Sequence, residues 1–163
     1  MNNCKLNFID ILQCCTPDAY ANIHGNDENP NLMGRAHFHS TIYSGTLVEI
    51  EIYNLPLVQK QVKSVFYGMH IHENGDCTPP FDKTGSHYNP SGSLHPQHAG
   101  DIPALLGNNG YAYSVFYTEQ YKMNDIIGRS IVIHLLPDDF ITQPSGNSGE
   151  KIGCGTIFSW SDS

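Results

Sequence analysis

The chain has 163 residues, 39% of them hydrophobic, which is enough for one domain with its own core and lies outside disordered composition. A formal net charge of −8 repels nucleic-acid phosphates and anionic membrane surfaces alike, so neither is expected as a partner. No apolar run approaches the roughly 20 residues that a membrane-spanning helix requires.

In chain order, residues 1–20 carry no sustained period and read as a tail or loosely docked segment, with the domain proper over 21–163. The tail is a poor secretory signal, because Lys5 is its single basic residue and Asp10 interrupts its apolar run. A cytoplasmic location is therefore expected. Strands are expected from Ala21 onward. "GRAHFHSTIY" alternates, and "GTLVEIEIYNLP" alternates more clearly, with Val48, Ile50 and Ile52 directed to a core until Pro56 ends the run. "SVFYGMHIH" sets Val65, Tyr67, Met69 and Ile71 on one face and His70 and His72 on the other. "YAYSVFYTEQ", "GRSIVIHLL" and "GCGTIFSW" are the remaining strand candidates. Two long stretches, Glu73 to Asn109 and Pro137 to Lys151, lack a period, and loops of that length inside a domain are usually functional. The expected architecture is an antiparallel β-sandwich or barrel with two long loops and at most a turn or two of helix.

The chemistry lies in those loops. Of nine histidines, His70, His72, His87, His95, His98 and His134 fall in or beside them. Residues i and i+2 of a strand share a face, so His70 and His72 can offer two imidazoles to one metal. His37 and His39 repeat the spacing, but no histidine-rich or aspartate-bearing loop follows them, and they read as solvent-facing strand residues. His87, His95, His98 and Asp101 provide three imidazoles and a carboxylate, a sufficient tetrahedral shell for zinc. His134, ending a strand, allows a second metal near His70 and His72, and a site built of imidazoles suits copper as well as zinc. Cysteines number five, which does not suggest a disulfide-built scaffold. Adjacent Cys14 and Cys15 are not expected to bond each other, and Cys4 has no assigned role. Cys77 and Cys154 stand alone in glycine-rich contexts and are free to pair.

The successive motifs "GMHIHENGDC", "GSHYNP", "HAGD", "IIGRSIVIHLLPDD" and "GNSGEKIGCG" resemble, in the same order, the signatures of copper/zinc superoxide dismutases. The resemblance spans most of Phe66 to Ile157. It implies an all-β Greek-key sandwich or barrel of about eight antiparallel strands. By motif, His70, His72 and His134 resemble copper ligands, His87 the residue bridging both metals, and His95, His98 and Asp101 the remaining zinc ligands. Asp138 matches a carboxylate linking a copper-side to a zinc-side histidine, and Cys77 and Cys154 match an intrachain disulfide. The resemblance implies one copper and one zinc per chain, superoxide as substrate, and dioxygen and hydrogen peroxide as products. His87 and Lys151 would be the catalytic residues. It allows a homodimer without choosing its face. Two departures stand out. Only Pro96 and Gln97 separate His95 from His98, so the zinc loop is short, and Lys151 occupies the place of the family's arginine. Lysine keeps the charge but loses the planar fork of donors, which predicts weaker anion docking. The competing reading is a non-catalytic module that stores or delivers copper or zinc on the same fold. A purely structural sandwich leaves the clustered histidines unexplained.

Overall fold

The computed structural model describes residues 7–57 and 65–162; Cys4 and Lys5 lie outside them. In chain order the elements are α1 (Phe8–Cys14), β1 (Ala19–Gly25), β2 (Met33–Ser40), β3 (Thr46–Tyr53), β4 (Phe66–Tyr67), β5 (Met69–His72), β6 (Leu105–Leu106), β7 (Ala112–Thr118), α2 (Met123–Ile126), β8 (Ser130–His134) and β9 (Lys151–Ser159). Seven strands form one curled antiparallel sheet in the order β5-β8-β9-β1-β2-β3-β7, and β4 pairs with β6 in a small second sheet. The out-of-sequence neighbours β9–β1, β3–β7 and β5–β8 are the crossovers of a Greek-key arrangement. Among the described residues, no helix is long and apolar enough to cross a membrane.

The alternation in β3 has the expected sense: Val48, Ile50 and Ile52 are fully buried while Glu49 and Glu51 are only partly covered. Leu47 breaks the pattern by being buried as well. Its cross-strand partner Tyr117 stacks under Phe8 of α1, 5.2 Å between ring centroids, so the helix covers the outward face there. That helix is local in origin. Asn7 caps it by accepting the Asp10 N–H at 2.9 Å, and Ile11 supplies its buried face. Residues 8–14 are thus a short docked helix, and the strands begin at Ala19.

The run "SVFYGMHIH" is not one strand but two. Gly68 separates β4 from β5, because its N–H bonds to the Leu136 carbonyl and its own carbonyl accepts the His134 N–H, both at 2.8 Å. A side chain there would press on Ser148 and Leu136. The strand therefore switches sheets, and β5 is buried on both faces. Met69 and Ile71 enter the main core, while His70 and His72 lie beneath the long loops.

Three backbone bonds bring those loops to β5. Ile71 N–H donates to the Gly100 carbonyl at 2.9 Å, Tyr88 N–H to the Ile71 carbonyl at 2.8 Å, and Gly100 N–H to the Tyr88 carbonyl at 2.8 Å. This ring sets His72 opposite His87 and His70 opposite Asp101. Tyr88 is locked further by the Arg129 guanidinium, 3.8 Å above its ring. Cys77 and Cys154 form a disulfide across 77 positions of sequence, tying the first loop to β9. In the chain-entropy account such a closure contributes about 4 kcal/mol.

Gly100 has no room for a methyl group, since an added Cβ would collide with the Ile71 carbonyl and press on the Tyr88 nitrogen at 2.9 Å. Gly100→Ala is therefore expected to cost about 1–3 kcal/mol. Because the ring orients three histidine-bearing segments, metal content should fall along with the urea midpoint. Unchanged values for both would contradict this account.

Candidate metal centre

Four elements deliver the side chains. β5 brings His70 and His72, β8 ends on His134, the first long loop carries His87, His95, His98 and Asp101, and the second carries Asp138. All are buried. They meet in two groups, His70, His72, His87 and His134 in one, His87, His95, His98 and Asp101 in the other. Within each group one ligand-type atom per residue lies within 4.8 Å of the others. His87 belongs to both. The remaining histidines stay apart: His37 sits 3.6 Å from Glu49 and edge-on to Trp160, His39 is buried in β2 and not solvent-facing as its spacing suggested, and His24 bonds the Cys77 carbonyl at 3.2 Å.

The hydrogen bonds fix the tautomers, because carbonyls and carboxylates only accept. His72 donates from Nδ1 to the Gly85 carbonyl at 2.9 Å, and His134 from Nδ1 to the Gly149 carbonyl at 3.2 Å. Their Nε2 atoms then carry lone pairs, and these face each other at 3.3 Å. His70 donates from Nε2 to Asp138 Oδ2 at 2.7 Å, and His95 from Nε2 to Asp138 Oδ1 at 2.9 Å. The Nδ1 atoms of both are buried without a hydrogen-bond partner, as are His87 Nε2 and His98 Nδ1. His95 Nδ1 lies 3.1 Å from Asp101 Oδ2 and His98 Nδ1 lies 3.3 Å from it, in neither case aligned for a hydrogen bond. Buried lone pairs converging on one another and on a carboxylate repel unless a cation lies among them. The donor set therefore fits two metal ions, one among imidazoles alone and one among three imidazoles and a carboxylate.

Electrostatics agree with ligands held ready. Burial keeps the imidazoles of His70 and His72 below their ordinary value and pushes His134 down to about 3. Burial works to raise the carboxyl of Asp138, but hydrogen bonds from His70, the Phe140 N–H and His95 outweigh it and hold the group well below the usual range. Asp101 is lowered the same way, burial being overcome by bonds from His87 and the His98 N–H. An open cleft of about 550 Å³ leads to the first group, with His72, His87, His134 and Lys151 among its lining. Lys151 is half-buried, and burial lowers its ammonium from the ordinary value.

Two further contributors were given no role by the sequence. Gln143 clamps the backbone of His95, accepting its N–H at 3.0 Å and donating to its carbonyl at 2.6 Å. Within the short loop this bond and the one to Asp138 hold His95 from two sides. Gly146, at φ +69°, leaves space for Asp138, which a Cβ there would strike. Gln143 lies in no motif that could have singled it out, whereas Gly146 opens the motif "GNSGEKIGCG" without a role assigned to it there.

A model of the family described as copper/zinc superoxide dismutase (SODC) matches residues 32–157. The chain is 35% identical over 153 residues to a superoxide dismutase [Cu-Zn] of Deinococcus radiodurans, covering 80% of each chain. It is 36% identical over 130 residues to superoxide dismutase [Cu-Zn] 1 of Aquifex aeolicus, covering 70% of this chain and 73% of that one. The copper chaperone for superoxide dismutase of Homo sapiens is 36% identical over 104 residues, 56% of this chain but 38% of its own length. Among solved structures, a double mutant of a superoxide-dismutase-like protein from Bacillus subtilis superposes with a TM-score of 0.72 at 27% identity, over 86% of this chain and 97% of that one.

Two outcomes follow. Gln143→Ala should weaken zinc binding about 10- to 100-fold, the usual cost of losing a residue that orients a ligand, and competition with a chelator would measure it. Retained affinity would mean that Asp138 alone suffices for His95. In the metal-free protein, unfolding lets the depressed imidazoles take up protons near pH 6.5 that the folded chain refuses. Their stabilisation is complete above pH 6.5 and is lost as the pH falls toward the folded values. The limiting slope is about 1.4 kcal/mol per pH unit for each imidazole. Urea midpoints of the metal-free chain should decline steadily from pH 7 to 5; level midpoints would contradict the burial argument.

Proposed function

The chain belongs to the copper/zinc superoxide dismutase family, and on that premise we propose that it converts superoxide to dioxygen and hydrogen peroxide with one copper and one zinc per chain. His70, His72, His87 and His134 would hold copper, and His87, His95, His98 and Asp101 zinc. Bound copper would supply a one-electron couple that oxidises one superoxide and reduces the next.

The residues of the chain do the rest. Asp138 orients His70 and His95 together, so the two ligand sets share one support. His87 has Nδ1 against Asp101 at 2.7 Å, a contact between two members of the zinc set whose proton bound zinc would displace, and Nε2 buried without a partner, which makes Nε2 the atom where a proton can be held for the peroxide product. Lys151 provides positive charge inside the cleft of an otherwise acidic protein, and a local field of that kind raises the encounter rate of a small anion.

The observation that carries this reading is the company kept by the imidazoles. Three of the four in the first group line an open cleft together with an ammonium. Storage needs ligands but no anion-attracting approach to them. The similarity to a copper chaperone favours a second reading, in which the chain delivers metal instead of turning over.

Loading with both metals, elemental analysis and superoxide decay on one sample separate these readings. One copper and one zinc with rapid decay is the expected result, and Lys151→Ala should slow the decay about tenfold and flatten its dependence on ionic strength. Full loading without turnover would transfer the assignment to metal delivery.

A further inference from the structure

Lys151 does not point a free ammonium into the cleft. Its Nζ lies 2.9 Å from Thr84 Oγ1, 3.3 Å from the Phe81 carbonyl and 3.3 Å from the Gly85 carbonyl. An ammonium has three N–H groups, and three acceptors receive them. The acceptors differ in quality. The Gly85 carbonyl already accepts His72 Nδ1 at 2.9 Å, and the Phe81 carbonyl already accepts the Thr84 hydroxyl at 2.8 Å and the Thr84 N–H at 3.2 Å. The Thr84 hydroxyl, its single hydrogen committed to Phe81, turns its lone pairs to Lys151 and makes the shortest of the three contacts.

The seat is rigid. Thr84 is fully buried and ends the 3-10 turn Asp82–Thr84, bounded by Phe81 at φ +75° and Gly85 at φ +75°. Phe81 is itself fully buried against Val132 and Cys154, and the disulfide of Cys154 ties the same loop to the strand that carries Lys151. The left-handed backbone at Phe81, uncommon for an aromatic residue, is what turns its carbonyl and the Thr84 hydroxyl toward one point.

We propose that Thr84 is a positioning residue that parks Lys151 as a source of field while withholding its N–H groups from anions. Superoxide needs only attraction to arrive, since it has no shape to recognise. Stable anions such as azide or phosphate bind through charge-assisted hydrogen bonds, which a parked ammonium does not offer. Thr84 thereby sets the anion selectivity of the cleft. The inference rests on the dismutase reading for its consequence, whereas the parking of Lys151 stands on the geometry alone.

The test uses two readouts. In the zinc-loaded protein, wild type should show one slowly exchanging lysine ammonium signal by nitrogen-15 NMR, identified by its disappearance in Lys151→Met. Thr84→Val should abolish that protection and Thr84→Ser should retain it. In the copper- and zinc-loaded protein, Thr84→Val should tighten azide binding about tenfold, the worth of one freed charged donor. Thr84→Ser should match wild type, and the Thr84→Val effect should vanish in the Lys151→Met background. Unchanged or weaker azide affinity in Thr84→Val, or the same gain without Lys151, would overturn the proposal. So would ammonium protection that survives Thr84→Val. A protected ammonium in a protein that binds both metals without turnover would refute the dismutase reading and leave the parking of Lys151 intact.

Discussion

The metal end of this barrel depends on where its imidazole N–H groups go. His70 and His95 give theirs to Asp138, and His72 and His134 give theirs to backbone carbonyls. Each bond spends one ring nitrogen and thereby aims the other. A histidine buried without such a bond could rotate or exchange tautomers, and its lone pair would have no fixed direction. Here the unused nitrogens are buried and converge. The cost of burying them is met by packing everywhere else in the sheet, a division of labour in which the fold supplies the stability that a strained polar cluster withdraws.

That arrangement explains why the two long loops can be irregular without being loose. Loop backbone under a protein surface must find partners for its polar groups. In the first loop the bonds among Ile71, Tyr88 and Gly100 do this, and they do so by treating the loop as a strand for two residues at a time. In the second, Asp138 takes the Phe140 N–H at 2.6 Å with an oxygen that also receives His95. Loop conformation and ligand orientation are thus one set of hydrogen bonds. A change to either would be felt by both.

This also accounts for what could be read in the sequence and what could not. Strands with strict alternation, such as β3, were legible because a half-buried strand leaves a period of two. The ligand-type residues were legible because six histidines and an aspartate in or beside the two long loops are chemically conspicuous, and the motifs around them resembled one family. The division at Gly68 was hidden, because Val65 to His72 alternates without a break and only the Leu136 and His134 contacts divide it. Strand β6 is two residues long and has no period to detect. The helix α1 is too short for one to stand out, and its docking depends on Tyr43 and Tyr117, both distant in sequence. Gln143 and Thr84 each act on one distant residue, across 48 and 67 positions. No local pattern encodes such a contact.

An acidic protein with an ammonium in its cleft presents a conflict of charge, which distance and burial resolve. Two of its carboxylates, Asp101 and Asp138, are buried at the metal end, where imidazole N–H groups engage them. Others lie on the outer face of the sheet, where Glu49 and Glu51 accept from the hydroxyls of Tyr113 and Tyr111. Charges on that face are exposed and screened over about 8–10 Å at physiological ionic strength. Lys151 is half-buried beside the histidines, where water screens it less. An anion at the cleft therefore responds to the nearer charge, and the net charge of the molecule governs only its distant approach. The same burial that strengthens the field of Lys151 makes an unpaired ammonium costly, which is why its N–H groups are received by the protein. Field strength and hydrogen-bonding freedom are traded against each other at this one residue. The loop from Cys77 to His87 is the element that sets the balance.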